Sequence, residues 1–282
     1  MRALVRAGLA EDQAHADVTT QTLIDPSWTI QALVVAKQNG IVSGLPLAKL
    51  FFKAMDPRIQ FKANVHDGAH VHPKQTLAFI KGKARSVLSG ERPALNALQH
   101  LSGIATFAAS QVMTLKGTSI RLLDTRKTLP GWRVLQKYAV RCGGATNHRM
   151  SLGDEVLIKE NHLRIARLAG HDWISDVQRL RRKRPSMVVQ LEIQTDQDLN
   201  DALVLKPQRV LLDNLTRSRT KRMIRILRHL IPGIEIELTG GITPAALPSL
   251  ARLHPDRISM GRLTHSVQAF DCSLDIIHVD AS

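Results

Sequence analysis

Three short stretches gather the residues whose types and spacing could do chemistry: Asp124-Thr125-Arg126-Lys127, Asn147-His148-Arg149 and Lys159-Glu160-Asn161-His162. Arg126, Lys127, Arg149 and Lys159, with His148, make a cationic cluster. A guanidinium grips a carboxylate or phosphate through two parallel hydrogen bonds, and lysine acts as a mobile point charge. Each charge-assisted bond contributes about 1.5–3 kcal/mol, so several together imply a ligand with more than one negative charge. Some could instead pair internally with Asp124, Asp154 or Glu160. Glu192 and Asp213 do the opposite job: two carboxylates in a cationic surrounding can hold a divalent metal, bind sugar hydroxyls or stabilise a positive carbon. Thr239-Gly240-Gly241 and Gly261 could offer backbone N–H groups and a hydroxyl to a phosphate. Together these groups suit a phosphorylated sugar meeting an acidic co-substrate.

The elements that must position them are legible as a rhythm. From about Thr118, β-rich runs alternate with helical segments at intervals of roughly 20 to 35 residues, as in βα units. The runs are Ile120–Leu123, Val156–Ile158, Val188–Leu191, Val210–Leu212, Ile234–Leu238 and Arg257–Met260. Every candidate above except the Asn147-His148-Arg149 stretch follows directly on one of them, as expected where strand ends converge on the mouth of a parallel sheet or barrel. The first hundred or so residues mix a short helix with strands over Ile30–Lys37 and Thr76–Lys81. A long helix is expected to begin near Ser89, with Pro93 in or near its first turn and Leu95, Leu98, Leu101, Ile104 and Ala105 as its apolar stripe.

Composition narrows the class. The chain has 282 residues, with 39 Lys+Arg against 24 Asp+Glu and a formal net charge of +15, which suits either a polyanion partner or a small, densely charged substrate. Aromatics are 4% of residues, which argues against stacking platforms for single-stranded nucleic acid. The basic stretches Arg179–Arg184 and Arg217–Arg228 are expected to be solvated helix faces, with Met223, Ile224, Leu227, Leu230 and Ile231 inward. No apolar run is long enough for a bilayer, and Met1–Arg6 lack the long apolar segment of a secretion signal, so none is expected. Cys142 and Cys272 fit a reducing compartment, so a cytoplasmic location is expected. His66, His70 and His72 flank a Gly-containing turn without further ligands, and Cys142 suits packing better than nucleophilic work. No dinucleotide fingerprint, P-loop or nucleophile elbow is present.

The chain resembles the quinolinate phosphoribosyltransferase (carboxylating nicotinate-nucleotide pyrophosphorylase) family. The likeness runs through Glu11-Asp12, Asp17-Val18-Thr19, Glu91-Arg92, Leu95-Asn96 and Leu101–Thr106. It continues through Asp124–Gly131, Lys137–Val140, Asn147–Arg149, Leu157–His162, Leu211–Asn214 and Leu263–Ser266. The resemblance implies an N-terminal open α/β sandwich over 1–105, joined by the tail 266–282, and an incomplete α/β (TIM-like) barrel over 106–265. It implies a homodimer with a shared active site, in which each sandwich caps the partner's barrel mouth. The implied activity makes nicotinate mononucleotide, pyrophosphate and carbon dioxide from quinolinate and phosphoribosyl pyrophosphate, with magnesium, toward NAD.

Carried over by position, Arg126, His148, Arg149 and Lys159 should face quinolinate's carboxylates, with Arg92 reaching in from the neighbouring subunit. Lys127 should approach the pyrophosphate, Glu192 and Asp213 should serve the ribose and magnesium, and Thr239, Gly240, Gly241 and Gly261 should cradle the 5-phosphate. The catalytic set implied is Lys127, Lys159, Glu192 and Asp213; His162 and His265 are expected at the mouth. The chain departs from the family pattern at Gly143-Gly144-Ala145-Thr146, Gln190, Thr239 and Arg262, the last either adding a phosphate contact or pointing outward. Two rivals remain: a relative acting on another ring acid or in molybdate-linked metabolism, against which the intact Asp124-Thr125-Arg126-Lys127 and Asn147-His148-Arg149 argue, and a basic nucleic-acid binder with a vestigial site.

Overall fold

A computed structural model describes residues 1–281. The chain divides into two compact units, one of Met1–Ser110, Leu129–Gly144 and the tail from Ser266, the other of Gln111–Thr128 and Ala145–His265. Relative to the division expected from the resemblance, residues 106–110 and 129–144 fall in the first unit. The reason for the second segment is local bonding. Tyr138 donates its phenol to Asp67 at 3.0 Å, and the Gln136 side chain meets the His100 ring at 2.8 Å.

The first unit carries strands β1 (Thr29–Ala36), β2 (Gly40–Ile41), β3 (Gln60–Ala63), β4 (His70–Val71) and β5 (Thr76–Lys83). Its helices are α1 (Arg2–Glu11), α2 (Val18–Leu23), α3 (Leu45–Met55) and most of α4 (Ala84–Thr114). Along β1 the buried Ile30, Ala32 and Val34 alternate with more exposed neighbours, the period-two pattern of a sheet covered on one face. The antiparallel sheet has the order β12-β1-β5-β3, where β12 (Cys272–Asp280) comes from the C-terminal tail. Asp17 caps α2 by accepting the Thr20 N–H at 2.9 Å and also accepts the Ser89 hydroxyl at 2.9 Å, so the Asp-Val-Thr stretch is a capping device.

Helix α4 corrects one expectation. It starts at Ala84, directly after β5, and Pro93 lies inside it. Proline removes the N–H that would bond the Ser89 carbonyl, a loss the surrounding burial outweighs: Leu95, Leu98, Leu101, Ile104 and Ala105 are all essentially inaccessible. His72 bonds Asn39 at 2.8 Å in the small β2–β4 ribbon.

The second unit is a parallel α/β assembly. Its strands are β6 (Arg121–Leu123), β7 (Val156–Ile158), β8 (Val189–Ile193), β9 (Arg209–Asp213), β10 (Glu235–Thr239) and β11 (Arg257–Ser259), in the order β6-β11-β10-β9-β8-β7. The end strands β6 and β7 do not pair, so the sheet is an incomplete barrel. Helix α5 (Arg133–Cys142) belongs to the first unit, whereas α6 (Glu160–Leu168), α7 (Trp173–Lys183), α8 (Asp196–Leu205), α9 (Arg217–Leu230), α10 (Leu247–Ala251) and α11 (Arg262–His265) belong to the second. Met223, Ile224 and Leu227 of α9 are buried while Arg217, Lys221, Arg222, Arg225 and Arg228 are exposed; Leu230, expected inward, is exposed at the last turn. Arg181 departs from the solvated reading of α7, donating to the carbonyls of Leu205 and Lys206. Among the described residues no helix is long and apolar enough to cross a membrane.

The sheet interior holds charges that the sequence reading did not anticipate. Parallel register sets Glu235 opposite Arg209 and Glu237 opposite Arg257. Arg209 reaches Glu235 at 2.5 Å and Glu155 at 3.4 Å, and Arg257 reaches Glu235 at 3.3 Å and Glu237 at 3.0 Å. Each buried ion thereby keeps a counter-charge, the condition for tolerating its loss of water.

Candidate active site

The C-terminal ends of the parallel strands open on a cleft of about 690 Å³. Its lining contains Arg126, Lys127, His148, Arg149, Lys159, Glu192, Asp213, Thr239, Gly240, Gly241 and Gly261, so the sequence-expected groups of this unit are brought together. Arg92 is on α4 in the first unit, largely exposed, and is not among the lining residues. His265 lines the cleft; His162 does not, because its ring accepts the Lys159 backbone N–H at 2.9 Å and caps α6. The nearby positions missed from sequence are Glu237 and Gln194. Gln194 was detectable in principle, being two residues beyond Glu192 and so on the same side of an extended chain.

Asp124 explains how two separate stretches form one wall. Fully buried at the end of β6, it accepts the His148 backbone N–H at 2.8 Å and the Asn147 side-chain amide at 2.5 Å. It thus turns the Asn-His-Arg segment toward the neighbouring Arg126. The His148 ring is held from both sides: Nδ1 accepts the Arg149 N–H at 2.8 Å, and Nε2 faces the Glu237 carboxylate at 3.4 Å. Burial alone would push the Glu237 carboxyl up, but His148, Arg257 and Ser259 outweigh it and hold it below the usual carboxylate range.

The cations are arranged for an anion. Arg149 is anchored by donating to the Glu155 carbonyl at 2.8 Å. Burial, and then the adjacent Arg126, lower its pKa from the ordinary arginine value, the signature of positive groups crowded in a partly dry place. Arg126 Nε is buried without a hydrogen-bond partner among the described residues. An unpaired buried donor beside a like charge costs stability unless a ligand completes it.

The acids lie across the same opening. Glu192 is bonded by Lys159 Nζ at 2.8 Å and by the Gln194 side-chain amide at 3.0 Å. That amide also donates to Asp213 at 2.8 Å, and the Asn214 amide adds a bond at 3.0 Å. Gln194 therefore clips the two carboxylates together without neutralising either. After β10, Gly240 and Gly241 adopt φ of +91° and +51°, a left-handed turn that a side chain would strain. A Cβ on Gly240 would lie 2.6 Å from the Asn214 backbone nitrogen, so glycine is required by the close approach of two strand ends.

Comparisons with known proteins agree with this geometry. Family models match the N-terminal domain of quinolinate phosphoribosyl transferase over residues 17–102 and its C-terminal domain over 104–275. A probable carboxylating nicotinate-nucleotide pyrophosphorylase of Bacillus subtilis is 34% identical, covering 98% of this chain and 93% of that protein. The carboxylating nicotinate-nucleotide pyrophosphorylase of Mycobacterium leprae is also 34% identical, covering 98% and 96%. The solved nicotinate-nucleotide pyrophosphorylase of Francisella tularensis superposes with a TM-score of 0.88 at 35% identity, over 98% of this chain and 95% of that one. With both domain models matched and relatives aligned along almost the whole length, the chain belongs to the quinolinate phosphoribosyl transferase family.

Proposed function

We propose that this chain transfers phosphoribosyl from phosphoribosyl pyrophosphate to quinolinate with decarboxylation, giving nicotinate mononucleotide, pyrophosphate and carbon dioxide in NAD biosynthesis. The observation that carries the reading is the paired guanidinium wall, Arg126 with its buried unpartnered Nε beside Arg149, in one cleft with Glu192 and Asp213. A dicarboxylate needs the first feature, and a sugar carbon losing pyrophosphate needs the second.

The residues divide the work accordingly. Arg126, Arg149 and Lys159 receive the ring carboxylates, with His148 beside them and held by Glu237. Lys127 stands toward the departing pyrophosphate. As the bond from the anomeric carbon to the pyrophosphate oxygen breaks, positive charge grows on the ribose, and Glu192 and Asp213 stabilise it. The pyridine nitrogen then donates its electron pair to that carbon. The ring nitrogen becomes cationic, so the adjacent carboxylate can leave as carbon dioxide, its bonding pair staying on the ring carbon until a proton arrives. Thr239, Gly240, Gly241 and Gly261 take the 5-phosphate. Much of the gain is positional, since two polyanions that repel in water are held in contact.

Magnesium is part of the proposal. Among the described residues no group of three or more His, Cys, Asp or Glu could hold a metal ion alone. The clipped pair Glu192 and Asp213 suits an ion that keeps few protein ligands and takes the rest from substrate phosphates. Bound there, magnesium would neutralise charge on the leaving pyrophosphate. We also propose a homodimer in which the exposed Arg92 of one subunit completes the quinolinate pocket of the other. Both cysteines are free thiols, which supports a cytoplasmic location.

The test compares pyrophosphate and carbon dioxide release with quinolinate and with nicotinate. Quinolinate alone should support both. Arg126→Ala should lower kcat/KM for quinolinate at least about 100-fold, a loss of about 2.7 kcal/mol, with an unchanged unfolding transition. Near-normal turnover by that variant refutes the assignment.

A further inference from the structure

Arg262 opens α11 immediately after Gly261 and is one of the residues that line the cleft. It is exposed, and it makes no hydrogen bond or ion pair with any described residue. The carboxylates of the cleft are engaged elsewhere: Glu192 by Lys159, Asp213 by Gln194 and Asn214, Glu237 by His148 and Arg257. Two other basic side chains meet at the same glycine. A Cβ built on Gly261 would lie 3.0 Å from Lys127 Cδ and 3.1 Å from the His265 ring. Lys127 is itself tied down there, its carbonyl accepting the Thr264 hydroxyl at 2.7 Å. Lys127, His265 and Arg262 thus surround Gly261 on the strand next to Thr239-Gly240-Gly241, with no acid paired to the arginine.

We propose that Arg262 binds a phosphate group of the phosphoribosyl donor, adding a guanidinium fork to the glycine cradle. A planar fork with five donors matches phosphate oxygens two at a time, which the backbone N–H groups of the turns do not. In the proposed function the ring acid is already served by Arg126 and Lys159, at the ends of β6 and β7, and by Arg149, in the segment before β7. The inference rests on the donor named above. The phosphate concerned is either the 5-phosphate or the pyrophosphate of that donor.

The experiment compares wild type, Arg262→Ala and Arg262→Lys in steady-state kinetics, and measures binding of ribose 5-phosphate and of inorganic pyrophosphate with magnesium by calorimetry. Loss of one charge-assisted contact should raise the KM for phosphoribosyl pyrophosphate about 10- to 100-fold in Arg262→Ala, and less in Arg262→Lys, with the quinolinate KM within about twofold. Weakened ribose 5-phosphate binding assigns the contact to the 5-phosphate; weakened pyrophosphate binding assigns it to the leaving group. Unaltered binding of both, or a rise confined to the quinolinate KM, overturns the proposal. If wild type binds either probe and Arg262→Ala weakens it, yet quinolinate is not turned over, the phosphate contact stands and the functional reading falls.

Discussion

Replacing Gly240 by alanine probes the point where two strand ends touch, and Gly241 supplies the control. Both glycines have positive φ, +91° and +51°. They differ in surroundings: a Cβ at Gly240 would lie 2.5 Å from Asn214 Cγ and 2.6 Å from its backbone nitrogen, whereas at Gly241 the nearest such atom is Asn214 Oδ1 at 3.6 Å. The left-handed conformation costs an alanine about 1–2 kcal/mol at either position. Gly240→Ala adds an overlap with backbone, worth about 1–3 kcal/mol more when the site must shift. The Asn214 N–H donates to the Thr239 carbonyl at 3.2 Å and its side chain bonds Asp213, which Gln194 also bonds, so a shift of Asn214 is passed on to the Asp213 carboxylate. Urea unfolding should therefore show Gly240→Ala to be about 2–5 kcal/mol less stable than wild type, and Gly241→Ala about 1–2 kcal/mol less. Steady-state kinetics should show a further loss of at least about tenfold in kcat/KM for the phosphoribosyl donor in Gly240→Ala relative to Gly241→Ala. Equal stability and equal kinetics for the two variants would refute the claim that the Asn214 approach, and not left-handed backbone alone, dictates glycine here.

The charged sheet interior makes its own predictions. Glu237→Leu leaves Arg257 without one of its counter-charges and His148 without its carboxylate, and should cost about 3–5 kcal/mol in urea unfolding, much of it regained in Glu237→Leu with Arg257→Met. No regain would show that packing, not charge, sets the cost. Because the Glu237 carboxyl is held below its unfolded value, its contribution is present above the unfolded pKa of about 4.3 and is lost as pH falls through the lower folded one. Asp198, lowered by Arg167 and its N-cap bonds against the opposing effect of burial, acts in the same sense. Unfolding midpoints should thus fall below about pH 4.3, on top of an earlier decline below about pH 6.5 from His100, whose imidazole burial holds below its ordinary pKa; a midpoint that rises on acidification contradicts the sign. Finally, Arg92→Ala mixed with Lys159→Ala should regain activity in heterodimers, since one cleft then keeps both residues. Mixtures no more active than their parents would rule out a shared site.

The parts legible in the sequence were those that local chemistry dictates. The βα rhythm placed the strands of the second unit within a residue or two, because each is a short apolar run ended by a polar turn. The same rhythm put Arg126, Lys127, Lys159, Glu192, Asp213 and the glycine turns at strand ends, and a parallel sheet brings such ends to one face whatever its finer geometry. Helix α4 was misread at its start because Ser89 and Pro93 look like a helix entrance, yet Ser89 spends its hydroxyl on Asp17, 72 residues away. His162 looked like a mouth residue and became a helix cap, a choice settled by the turn at Lys159. Only the tertiary structure decided which charges meet. Glu235 with Arg209 and Glu237 with Arg257 pair through strand register, and Asp124 joins residues 147 and 148 to the end of β6. Residue type records what a side chain can do, while its partner, and hence its charge balance and orientation, depends on chain segments that meet only once the sheet has formed.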